Sequence, residues 1–104
     1  MTTPRITPDP SIIGQFKTDT LIGVTKEDIV RILGFEPNVQ DDPDKVVNSW
    51  AFRVNGLPCA IWDWKGSHEV QRWSVYDPHG VMPLLFQKVY TATPTYKYQM
   101  LSKA

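Results

Sequence analysis

With 104 residues, 41% of them apolar and 21% charged, the chain is sized for one globular domain with a single core and is too apolar for wholesale disorder. Eleven basic residues cancel eleven acidic ones, so no long-range field gathers polyanions, and duplex nucleic acid and acidic membrane surfaces are poor partners. The single cysteine excludes an internal disulfide, and the lack of a signal-peptide layout or of an apolar run of about 18 residues predicts a chain that stays in the cytosol.

Residues 1–22 read as an N-terminal arm and lead-in: the prolines and threonines of residues 1–10 suit an extended arm, and residues 11–22, whose apolar positions keep no clean period, have room for a short strand or a packed lead-in. A helical signal runs over residues 24–35. Thr25 caps it and Asp28 reaches back to close a capping box, while Val24 and Ile29 staple the entry. Ile29, Ile32 and Leu33 form its apolar stripe, and Gly34 stands where a helix ends in a left-handed turn. Asp41, Asp42, Pro43 and Asp44 then read as a solvated loop.

Val46–Val54 and Leu57–Trp64 are strand-like and separated by Asn55-Gly56, the preferred pair for a two-residue hairpin turn. That turn sets Val54 opposite Leu57, Phe52 opposite Cys59 and Trp50 opposite Ile61. Trp50, Phe52, Val54, Leu57, Cys59 and Ile61 should therefore pack beneath the helix. The other face should carry Val47, Ser49, Ala51, Arg53, Ala60, Trp62 and Trp64. Residues 70–76 alternate as a third strand, with Trp73 and Val75 inward and Val70, Arg72, Ser74 and Tyr76 outward. Pro83 opens a second helix through Tyr90. The expected fold is α+β: a small α-β-β-β-α core over residues 23–90, with a three-stranded antiparallel meander and its helices packed on one face. Residues 91–104 form a tail with room for a short edge strand.

Chemistry is sparse. Asp63, His68, Glu69, Asp77 and His79 lie close in sequence, but their spacing fits no metal motif, and Arg72 stands where a zinc-protease frame begun at His68-Glu69 needs its second histidine. Asp41, Asp42 and Asp44 lack the closing acid of a calcium loop. Cys59 faces inward and reads as a small hydrophobe. No glycine-rich phosphate loop or serine elbow is present. No catalytic residue, metal or cofactor is assigned, and the chain is read as a binding protein, not an enzyme.

The outer sheet face is the expected recognition surface: Trp62, Trp64 and Tyr76 for stacking, Arg53, Arg72 and Lys65 for phosphate or carboxylate, with Ser49 and Ser74 between them. The alternative is that the chain itself, or the mate in a homodimer, covers this face. The ordered series Ile32-Leu33-Gly34-Phe35, Pro37-Asn38, the run from Asp41 to Val46, Ser49-Trp50-Ala51-Phe52, the run from Ile61 to Ser67, and Trp73-Ser74-Val75 resembles a family of short bacteriophage-encoded proteins. Family members place glycines soon after the last strand, where this chain has Tyr76-Asp77-Pro78. The resemblance implies a phage protein acting in the host cytoplasm and brings no catalytic residue. It makes counter-defence the expected role, by sequestering a nucleotide-type immune signal of the cyclic nucleotide or cyclic ADP-ribose class. The alternatives are an anti-CRISPR-like inhibitor that binds a host defence protein, and a structural or assembly protein of the phage particle.

Overall fold

In the computed structural model, which describes residues 3–12, 17–40 and 44–86, the hairpin is the organising element. Asn55 and Gly56 both take left-handed backbone angles, φ 53° and 84°, as a turn matched to the twist of its flanking strands requires. The register is the expected one, with Val54 opposite Leu57, Phe52 opposite Cys59 and Trp50 opposite Ile61.

The sheet is wider than the three-stranded meander read from the sequence. It has five antiparallel strands: β1 (Ile6–Pro8), β2 (Asp19–Ile22), β3 (Val46–Val54), β4 (Leu57–Trp64) and β5 (Arg72–Tyr76), in the order β1-β3-β4-β5-β2. The two extra strands come from residues 1–22: β1 lies in the stretch expected to be an extended arm, and β2 in the lead-in where a short strand is one of the two readings. An edge strand needs only backbone hydrogen bonds along one side, so neither an apolar period nor freedom from proline is required. Pro8 sits opposite Phe52 at the end of β1, and the Asp9 amide takes over the pairing by donating to the Ala51 carbonyl (3.0 Å). Beyond that point Asn38 stands in for a strand: its side chain donates to the Ala51 carbonyl and accepts from the Ala51 amide, both at 2.9 Å.

Helix α1 (Lys26–Leu33) has the predicted ends. The Asp28 amide donates to Thr25 Oγ1 and the Thr25 amide to the Asp28 carboxylate, both at 3.1 Å, and Gly34 closes the helix at φ 90°. The helix is tied to the sheet at both ends by indoles. Trp73 Nε1 donates to the Val24 carbonyl (2.7 Å) and Trp50 Nε1 to the Phe35 carbonyl (3.0 Å), while the two rings meet edge to face at 5.5 Å. Ile29 and Leu33 complete one core with Trp50, Phe52, Val54, Cys59, Ile61, Trp73 and Val75.

After β5 the chain turns at Asp77, whose carboxylate accepts from the amides of Val81 (2.8 Å) and Met82 (3.0 Å). Residues 83–86 are helical and bring Phe86 into the core. The expected continuation to Tyr90 and the tail 91–104 lie outside the described residues.

Candidate functional site

Alternation along β4 turns Trp62 and Trp64 to the outer face and Asp63 inward. Trp62 lies between Ser49 and Ser74, and Ser74 pairs onward with Thr20. Much of this face is closed. Ser49, Ala51, Ala60 and Thr20 are buried, and so is Ile12, which does not belong to the core beneath α1. Arg53 is engaged: its Nε donates to Asp9 (2.9 Å) and its Nη1 to the Gly56 carbonyl (3.1 Å). Hydrogen bonds from Ser11 and from Arg53 hold the Asp9 carboxyl below the usual carboxylate range. Arg53 pairs with Pro58 and Trp64 ends the same strand, so at about 3.3 Å per residue the two stand some 20 Å apart. Ser49 and Arg53 therefore do not join Trp64 in one surface.

The open part is the opposite end of the sheet. Trp64 is 46% exposed, and the ammonium groups of Lys45 and Lys65 lie 6.0 and 5.6 Å from its ring centroid. The Lys65 amide donates to the Lys45 carbonyl, joining the two backbones that carry these cations. Arg72 begins β5 at this end and is exposed, with Ile22 as its strand partner. Tyr76 and Ser74 are half-buried further along β5. Val47 and Val70, 66% and 72% exposed, add apolar surface. Sequence reasoning missed Lys45 as a neighbour of Trp64, and it placed Val70 in a strand although Val70 ends a short 3-10 helix (Ser67–Val70).

The register explains Val47. A flush ladder would set it opposite Trp64, but Val46 occupies that position, because one extra residue is accommodated between Val46 and Ser49 as a bulge. Val46, opposite Trp64, is buried, and Val47, which has no partner in the ladder, is exposed. Behind the bulge stands Asp63, fully buried. Its Oδ1 accepts from the amides of Val47 (2.9 Å) and Asn48 (2.8 Å), its Oδ2 accepts from Asn48 Nδ2 (3.1 Å), and His68 Nδ1 lies 2.5 Å from Oδ2. Of the acidic and histidine residues that lie close in sequence between Asp63 and His79, Asp63 and His68 are brought together. Asp77 is the cap described above, and no group of three or more His, Cys, Asp or Glu able to hold a metal occurs among the described residues.

Cys59 is buried with its Sγ 3.9 Å from Asp77 Oδ1, and burial, reinforced by the Asp77 charge, pushes the thiol up to about 12. The native protein is therefore expected to resist thiol reagents at neutral pH and to react at once when denatured, which absorbance titration of the free thiol checks. Because the folded value lies above the unfolded one, this thiol's contribution to stability is complete below the ordinary thiol range and is lost as pH rises toward the folded value.

A cleft of about 500 Å³ lined by Thr3, Arg5, Asn55 and Gly56, and another of about 270 Å³ beside α1 at Lys26, Val30 and Glu36, both lie away from Trp64. Among the described residues no helix is long and apolar enough to cross a membrane. Comparison with known proteins gives no match: no family model fits the chain, and neither a characterised protein nor a solved structure is significantly similar to it.

Proposed function

We propose that this is a non-enzymatic binding protein that takes a nucleotide-type ligand on Trp64, with Lys45, Lys65 and Arg72 meeting its phosphates. The observation that carries this reading is the half-exposed indole with two ammonium groups within 6.0 Å of its ring. A base stacks on an indole whatever its sequence, and neighbouring cations supply the attraction for phosphate. Trp62, Ser74 and Tyr76 continue the same face behind it. In the phage setting that the resemblance implies, the ligand is an immune signal of the cyclic nucleotide or cyclic ADP-ribose class, held away from a host effector in the host cytoplasm.

Calorimetry of the purified protein against cyclic dinucleotides and cyclic ADP-ribose isomers tests this. Binding is expected, and Trp64→Ala should weaken it by about 5- to 150-fold, the equivalent of one stacked base at about 1–3 kcal/mol. Flat heats for every ligand, or an unchanged Trp64→Ala affinity, would remove the reading. A second reading, inhibition of a host defence protein, is favoured by the exposed Val47 and Val70 at the Trp64 end, since apolar side chains beside an aromatic anchor suit a protein interface. It predicts a stoichiometric partner in pull-downs that Trp64→Ala and Val70→Asp both lose.

A further inference from the structure

We propose that Asp63 and His68 are positioning residues for the Trp64 surface: the buried carboxylate ties the β3 bulge to the 3-10 helix and so decides which side chains stand around the indole. The inference rests on the ligand reading above only for its binding readout. A carboxylate removed from water needs its lone pairs satisfied, and here the partners come from two separate segments. On one side are the Val47 and Asn48 amides with Asn48 Nδ2, and on the other is His68 Nδ1.

The first set exists only because of the bulge. In a flush ladder the amides of two consecutive residues point to opposite sides of the strand, whereas at the bulge the Val47 and Asn48 amides converge on one oxygen of Asp63. The consequence is the slip already noted: Val46 instead of Val47 stands opposite Trp64, and Lys45, the residue before it, lies at the ring. The second contact fixes the segment directly after Lys65. His68 is half-buried, its ring lies 6.2 Å from that of Trp73, and the helix it belongs to ends in the exposed Val70. One buried charge thus links the backbone on both sides of Trp64, although it touches neither the indole nor the solvent.

The test compares His68→Leu, which removes the ring nitrogen beside Asp63 Oδ2, with His68→Asn, which keeps a polar group close to where Nδ1 stands. Amide exchange at Val47 and Asn48 is measured together with the affinity for cyclic di-AMP and cyclic ADP-ribose. In the Leu variant exchange at these two amides should quicken by about tenfold or more, with α1 unchanged, and affinity should fall by about tenfold, the scale of losing one close polar contact to a buried carboxylate. The Asn variant should restore both. Deletion of Val47, which makes the ladder flush and takes one of the two amides from Asp63 Oδ1, should cost affinity while leaving the hairpin amides protected. Wild-type exchange in His68→Leu overturns the link, and faster exchange with unchanged affinity overturns its positioning role. If the wild type binds neither probe the ligand reading fails, and the link between bulge and helix stands or falls on the exchange data alone.

Discussion

Trp73→Ala is expected to destabilise the protein by about 3–5 kcal/mol, the range for deleting a buried large aromatic side chain. Trp73 is fully buried, packs edge to face on Trp50, and donates to the carbonyl that precedes α1. The substitution therefore opens a cavity, removes one ring contact and leaves the Val24 carbonyl without its indole donor, all at the seam between helix and sheet. Against a total stability of about 5–15 kcal/mol for a domain of ordinary size, the variant should stand near its folding threshold. Trp73→Phe separates the contributions, since it keeps an aromatic ring but loses the N–H, and it should recover about half of the deficit. Urea denaturation of the three proteins measures this. A Trp73→Ala loss under about 1 kcal/mol would mean that α1 is not held by this residue.

Asp77→Ala should cost about 2–4 kcal/mol by leaving buried donors without acceptors. The Asp77 carboxylate is the acceptor for the Val81 and Met82 amides, and its own amide donates to Thr18 Oγ1 (2.7 Å), so it joins the entry to β2 with the exit from β5. Asp77→Asn keeps one acceptor oxygen and should lose less. The same substitutions have a second readout. Since the Asp77 charge adds to burial in raising the Cys59 thiol, Asp77→Ala should move that titration toward the ordinary thiol range without reaching it, burial being the larger cause. A thiol titration unchanged in Asp77→Ala would show that burial acts alone.

The candidate surface was only partly legible in the sequence. Strand alternation puts Trp62, Trp64, Arg72, Ser74 and Tyr76 on the outer face, and their strand pairing is consistent with it, while Lys65 lies in the turn beyond β4. Arg53 and Ser49 obey the same alternation and still drop out. Arg53 is drawn off by Asp9, 44 residues earlier, and Ser49 is buried. Alternation fixes the direction of a side chain but carries no information about what lies over it. Lys45 beside Trp64 and Val46 opposite it escape alternation for the same kind of reason, because the bulge that sets them there is held by Asp63, 16 residues beyond Val47.

What the amino-acid order determined by itself is everything governed by neighbours a few positions apart: the Asn55-Gly56 turn and the register it imposes, the Thr25 and Asp28 cap, the Gly34 stop, and the two-residue period that sends Trp50 and Phe52 inward. Backbone sterics and short-range hydrogen bonds settle these wherever the segment is placed. Only the tertiary structure decided that β1 and β2 join as edges, that the β3 ladder slips by one residue, and that Trp64 keeps an open end of the sheet while Ser49 and Ala51 are shut away. Those outcomes depend on which distant segment supplies the missing hydrogen-bond partner, and no local period records that choice.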